Sequence, residues 1–499
     1  MTYTQEQQRS LIEELAGLEP LGHAESEDRE TFLRSFYPVP AHIRGFDPEV
    51  VIILGKRGVG KSSLYEAVTT HNLIEVIARF SPQRRLQDSS LSNTIWCKGY
   101  NSEKRFPDPE VIFQFFEKFN DIPAIERTFW HAYLLRELFQ YLNAEERISL
   151  EKIVSGDYFN PTKTLEEFRL AGELPYYALD RLDQTLEREG RYIYIAYDAL
   201  DSLGIEHWES HRRLISGLIS FWAKQSRRWS NIRAKIFIRT DLFDRYILTG
   251  EPYAIKLAAN RVTITWTDHH LFAMLIKRIA NFSQTSLEYC KKSGISFTQD
   301  PQLGYIPQIT DLKTADLFIS QCIGRYMGSD NRKGQTITWI ISHLQDGNKH
   351  MNPRPLIRLI GKSAQAQLQE YSSPASPHLI LPVSLRRELD QVSIEEIASA
   401  LNEWPWIRDL RLKLEGRQIP MEKKELEQVI THLYRNEWIE GSRNRPPSEN
   451  PRAFMDYLVT LGIIKRRPDE RIDVTDLYRS GLGLKRKGGV RKNTPGKKN

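Results

Sequence analysis

The sequence predicts an α/β fold in which a parallel sheet carries a phosphate-binding loop, with helices inserted into it and largely helical modules after it. Three observations carry that reading. "VIILGKRGVGKSSLYEAV" (residues 51–68) runs from a β-branched apolar stretch through a glycine-rich knot into a stretch of helical spacing. "RYIYIAYDALD" (191–201) is a second apolar run, and it ends in an acid. "AKIFIRTDLFD" (234–244) and "RVTITW" (261–266) add two more strands before the helical "DHHLFAMLIKRIANF" (268–282). Parallel strands buried on both faces read as such continuous apolar runs.

The knot satisfies G-x-x-x-x-G-K-[ST] with Gly55, Gly60, Lys61 and Ser62. The intervening Lys56, Arg57, Gly58 and Val59, and Ser63 beyond, complete the candidate nucleotide-binding set. Glycines let consecutive N–H groups turn into one anion-binding hollow. Lys61 is expected to reach the β- and γ-phosphates and the Ser62 hydroxyl to ligate Mg²⁺. The helix beginning near Lys61 adds its positive N-terminal end. The motif alone arises by chance in roughly one or two of a hundred chains of this length. Strand, loop and helix in the required order make it an ATP site of the P-loop NTPase kind.

Such a site needs a carboxylate at the end of another strand to hold the Mg²⁺ shell. Asp198 is the candidate, and the competing reading is an aspartate that caps the following turn. Asp201 orients water or caps a turn; the residues leave both open. Arg239, at the tip of the third strand, is placed to point at the γ-phosphate. "NTIWCKGY" (93–100) reads as a further strand. Between it and Asp198, "FQFFEKF" and "TFWHAYLLRELFQYL" read as an inserted helical layer at about 100–190, their aromatics serving as core. No NKxD motif is present to read guanine. The "LISGL" segment (214–218) lies after the acid-bearing strand rather than before it, where an ABC ATPase needs its LSGGQ.

Strand, polar tip, strand and helical lid is the order of AAA+-type ATPases. The set "GKRGVGKSS", "YIAYDALD", "KIFIRTD" and "NPRPLIRLI" resembles the KAP and STAND side of those enzymes across roughly residues 28 to 490. It is similar above all to bacterial ATPases with an FDALD strand and a C-terminal winged helix, and this implies a role in anti-phage defence with an effector partner. The resemblance implies that Arg239 senses the γ-phosphate and that Arg354 is a sensor arginine at the start of a lid helix, with Arg358 one turn on. A surface arginine beside a Pro-shaped helix start is the rival reading of Arg354. KAP relatives read D-D-L-D where this chain has Ala199 in second place, which implies slow hydrolysis.

The expected division is an N-terminal helical segment (1–47), the ATPase core (48–267), a helical lid (268–375), a winged-helix-like domain (376–480) and a basic tail (481–499). "YSSPASPHLILP" (371–382) has linker composition. "PRAFMDYLVTLGIIKRRPDERIDV" (451–474) reads as a helix followed by a hairpin, the outline of a winged helix. Lys465, Arg466 and Arg467 on its first strand would touch DNA phosphates. In the rival reading the module packs on the ATPase core instead.

At 499 residues the chain exceeds a single core. Its 40% apolar and 27% charged content suits a soluble globular protein. No apolar run approaches the roughly 18 residues of a membrane span, and "MTYTQEQQRSLIEEL" lacks a secretion stretch. Cys97, Cys290 and Cys322 are scattered, unlike a disulfide framework or a CxxC metal site, so a cytoplasmic setting is expected. His269 and His270 read as solvated rather than as metal ligands. Eight lysines and arginines and no acid fall between Leu477 and Asn499, so without that segment the net charge of +6 becomes −2. That tail either keeps the chain soluble or meets nucleic-acid phosphates or an acidic partner.

Three functions follow from these readings. The first is an ATP-dependent switch that moves the C-terminal module. The second is a DNA-stimulated oligomeric motor or loader, its arginine supplied in trans by Arg227, Arg228 or Arg233. The third is a DNA-binding adaptor with weak hydrolysis.

Overall fold

The computed structural model describes the chain except residues 1–2, 20–27, 81–92, 102–105, 120, 123, 156–159, 204–207, 247–256, 258, 371–376, 402, 440–441, 443 and 488–499. Most of the basic tail, and part of the linker-like stretch, therefore lie outside the described residues.

Five parallel strands form the central sheet: β1 (Ile52–Gly55), β2 (Thr94–Tyr100), β3 (Tyr192–Tyr197), β4 (Ile232–Arg239) and β5 (Val262–Thr263). Their order across the sheet is β2-β3-β4-β1-β5. All four apolar runs expected as strands, and "NTIWCKGY", lie in it. The fold class is therefore α/β, a parallel sheet of the phosphate-loop type. Every residue of β1 is buried, as a strand covered on both faces requires. Gly55 pairs with Arg239 across β1 and β4, and Tyr197 is the last residue of β3, so Asp198 follows at the same edge. The carboxyl ends of β1, β3 and β4 thus converge where open α/β sheets bind ligands.

The inserted layer comprises helices Pro109–Lys118, Ile125–Leu138, Ala144–Val154, Pro161–Leu170 and Leu174–Glu189. Its aromatics are core, as expected. Trp130 is 1% exposed, packs edge-on to Tyr100 and Tyr197 of the sheet, and donates its indole N–H to the Leu214 carbonyl at 2.9 Å. Asp183, on the last inserted helix, accepts the backbone N–H groups of Ser230, Asn231 and Ile232 and so pins the layer to the start of β4.

Helix α1 (Lys61–Thr69) follows the phosphate loop, and α2 (Asp268–Ala280) follows β5. The helices Arg29–Ser35 and Pro40–Gly45 contribute Phe32 and Ile43, and Phe36 at the end of the first joins them, in a cluster with α1. Helix Gln5–Ala16 instead joins the apolar cluster of α2 and α3 (Pro353–Glu370), which also takes in a hairpin (Phe297–Asp300 with Gly304–Pro307) that its polar sequence did not announce. No helix among the described residues is long and apolar enough to cross a membrane.

Past α3, helix α4 (Pro382–Ala400) leads to helices Trp406–Leu414, Lys423–Asn436 and Pro451–Thr460 and the hairpin Ile464–Arg466/Ile472–Val474. Met421 bridges to Ile472, and Trp406, Trp438, Phe454 and Ile430 form a separate core. Helix and hairpin fall where residues 451–474 predict them.

Candidate nucleotide site

The loop between β1 and α1 has the backbone that its glycines predict. Gly58 and Gly60 lie at φ +72° and +97°. A Cβ on Gly55 would stand 2.4 Å from the Val59 side chain, so the turn closes only over glycine. Gly60 caps α1 without a side chain, which leaves the helix's first N–H groups directed at the hollow. Lys61 Nζ donates to the carbonyls of Gly55 and Lys56, both at 3.3 Å. Trp266 Nε1 braces the loop from outside through the Val59 carbonyl at 2.9 Å.

Ser62 is exposed at the start of α1, and its hydroxyl bonds the Asp198 carboxylate. Asp198 is 3% exposed. Burial pushes its carboxyl up to about 6, against the Ser62 hydrogen bond and the charge of Lys61, while nearby Asp201 pushes the same way as burial. Lys61, Ser62, Asp198 and Asp201, far apart in sequence, therefore share one locus. Ala199 between the acids sits at φ +54°, a left-handed conformation unusual for alanine.

Arg239 is brought to the same edge but is already engaged. Its Nε and Nη2 donate to Asp241 at 3.0 and 2.7 Å, and its Nη1 donates to Glu403 at 2.7 Å. Its guanidinium lies 5.1 Å from the centre of the Trp404 ring. Burial opposes its charge, and Asp241 and Glu403 together outweigh burial and hold it well above the ordinary arginine range.

The loop cations Lys56 and Arg57 also reach acids from late in the chain. Lys56 Nζ bonds Asp346 at 2.5 Å and His350 Nδ1 at 3.2 Å. Arg57 Nε bonds Glu403 at 2.8 Å, and its Nη1 lies 3.2 Å from Glu396 on α4. Asn352 donates to the Arg57 carbonyl at 2.8 Å. Arg358 bonds Glu396 at 2.7 Å.

Arg354 opens α3 beside the loop, its Cβ 3.7 Å from where a Cβ on Gly58 would be. It makes no hydrogen bond or close ion pair with another described residue. Burial lowers its pKa, and the neighbouring charges of Arg57 and Arg358 add to that effect against Glu396 and Glu403. A desolvated guanidinium beside like charges favours an anion as partner.

The acids Asp346, Glu396 and Glu403, with Trp404, are the functional neighbours that sequence reasoning missed. The trans candidates lie elsewhere. Arg233 begins β4, the opposite end of the sheet, and donates to the carbonyls of Ser230 and Pro48; Arg228 pairs with Asp180. Arg227, Arg233 and Trp229 line a cavity of about 200 Å³ there. On the hairpin, Arg466 pairs with Asp456, while Lys465 and Arg467 lie 4.0 and 3.7 Å from Asp473.

No family model and no curated protein matches the chain. Among solved structures it is similar to the ORC2 protein of Aeropyrum pernix. The ADPNP–ADP form matches at a TM-score of 0.36 and 11% identity, over 87% of this chain and 86% of that one. The ADP form matches at 0.33 and 12%, over 90% and 94%. PCH-2 of C. elegans is similar at 0.21 and 12%, over 78% of this chain and 68% of that one. These likenesses are distant, and the fold assignment rests on strand order and the phosphate loop instead.

Proposed function

We propose that the chain is an ATP-binding, slowly hydrolysing switch of the AAA+ kind, in which nucleotide state sets the position of the C-terminal module. The observation that carries this reading is the anion-hungry hollow of Gly55–Ser63. Lys61 is parked there on carbonyls, and Arg354 stands over Gly58 with no hydrogen-bonded partner among the described residues. Phosphates would take the loop N–H groups, Lys61 and Arg354 as ligands.

Mg²⁺ fits the donor set, since a hydroxyl and a carboxylate are already in hydrogen-bond contact at Ser62 and Asp198. When bound, the ion would neutralise charge on the β- and γ-phosphates. Asp198 would hold the metal side of the site, Asp201 is the remaining acid able to orient water, and Ala199 would make turnover slow. The domain limits given by the sequence, with a lid at 268–375 and a winged-helix-like module at 376–480, belong to this proposal. So do the KAP/STAND affinity and the defence role with an effector partner that the motifs imply.

The packing of the C-terminal module favours the switch over a DNA-acting motor. Tyr457, on the helix that would read DNA in a winged helix, bonds Asp241 at 3.0 Å, and the hairpin cations face aspartates. Replacing Lys61 with alanine is expected to weaken binding of a fluorescent ATP analogue with Mg²⁺ by tenfold or more. A Lys61→Ala chain that binds as tightly as the parent makes the site assignment wrong. Turnover is expected to be slow, lost in Asp198→Ala and indifferent to duplex DNA; strong stimulation by DNA would return the motor reading.

A further inference from the structure

One carboxylate joins two arginines that belong to different parts of the nucleotide edge. Glu403 Oε1 accepts from Arg57 Nε at 2.8 Å, and Oε2 accepts from Arg239 Nη1 at 2.7 Å. Arg57 lies within the phosphate loop, and Arg239 ends the strand beside it, paired in register with Gly55. Glu403 comes from neither; it sits just beyond α4, next to the Trp404 ring that covers the Arg239 guanidinium.

We infer that Glu403 occupies the seat of the terminal phosphate of a nucleoside triphosphate between Arg57 and Arg239, so that ATP must displace it and ADP need not. The inference rests on the nucleotide reading above and adds a competitor to it. Carboxylate and phosphate oxygens accept from guanidinium in the same geometry, and the phosphate carries more charge. Neither arginine is left bare by the exchange. Asp241 continues to hold Arg239 through Nε and Nη2, and Glu396 continues to face Arg57.

The exchange also has leverage. Glu403 lies directly before the helix Trp406–Leu414, whose Trp406 and Ile407 are core residues of the C-terminal module. A carboxylate expelled from the loop therefore pulls on that core. Arg354 reinforces the direction of change. It lies near both Glu396 and Glu403, yet neither satisfies it, so a triphosphate gains a ligand that the two acids leave unused.

The test compares ATP and ADP binding to the full chain and to Glu403→Gln, by competition against a fluorescent nucleotide. The amide keeps the shape and removes the charge. ATP affinity is expected to rise about tenfold and ADP affinity to stay within twofold. An unchanged ATP-to-ADP ratio with both nucleotides bound overturns the inference and leaves the site assignment standing. Absence of binding to the parent chain overturns the nucleotide reading, and the inference with it. Should Glu403→Gln not fold, hydrogen exchange of the parent reads the same step. A non-hydrolysable triphosphate, and not ADP, must then increase exchange around Trp404–Ile407; equal exchange with both refutes the displacement.

Discussion

Two buried lysines donate to backbone carbonyls, and Lys235 also lies over the Tyr194 ring. Lys235 Nζ donates to the carbonyls of Asp47 and Val50 at 2.6 and 2.5 Å, and Lys277 Nζ donates to those of Leu33 and Arg34 at 2.9 and 2.7 Å. Each tethers the segment preceding the sheet, and burial pushes each amine down to about 7. An unfolded lysine holds its proton to about 10.4, so between those values the unfolded chain binds more protons. Stability should therefore rise with pH above about 7, and this contribution should vanish as pH falls through 7. Urea melts between pH 7 and 9 should show the rise, and Lys277→Met should reduce its slope by about 1 kcal/mol per pH unit. Ala199 offers a second test at this scale. Aspartate tolerates the left-handed backbone better than alanine does and restores the missing acid. Ala199→Asp is expected to raise ATP turnover about tenfold or more, and unchanged turnover would remove Ala199 from the account of slow hydrolysis. The partners of Ser62 and Lys61 were legible because a motif fixes their places. Glu403 and Asp346 were not. Their bonds to Arg239 and Lys56 span 164 and 290 residues, and a glutamate or aspartate in a polar stretch has the same sequence signature whether it meets water or an arginine.

At the scale of elements, the inserted layer is locked to the sheet by close helix contact. Gly217, in the helix Trp208–Gln225, is a point of close approach: a Cβ there would stand 2.6 Å from the Cβ of Glu126 on Ile125–Leu138. Glycine in mid-helix costs about 1 kcal/mol relative to alanine, so the approach it permits must return more. Gly217→Val should force the helices apart and lower stability by about 1–3 kcal/mol, read by chemical denaturation. A loss below about 0.5 kcal/mol would mean the interface adjusts freely. Strands β1 and β3 were legible from unbroken apolar runs, β2, β4 and β5 from β-branched and aromatic stretches interrupted by polar residues, and α2 because its apolar residues recur at helical spacing. The hairpin Phe297–Pro307 was not. Its burial is mostly partial, so the alternation that marks a strand is weak in it.

At the scale of the molecule, elements after residue 340 close over the phosphate loop. Asp346, Glu396 and Glu403 hold Lys56 and Arg57, the Gly347 N–H donates to the Gly462 carbonyl at 2.7 Å, and Tyr457 reaches Asp241. If nucleotide state governs that closure, small-angle scattering should give a larger radius of gyration with a non-hydrolysable triphosphate than with ADP. Equal radii would confine the response to the site itself. The order of the sheet carries a consequence for how the protein is made. Strand β1 lies between β4 and β5, and Ile52 pairs with Ile236. A ribosome adding about 5–20 residues per second takes about 10–40 s to travel that interval. During that delay the newborn glycine knot has no neighbouring strand to lean on, and a polypeptide released before residue 232 holds a complete phosphate motif that cannot take shape.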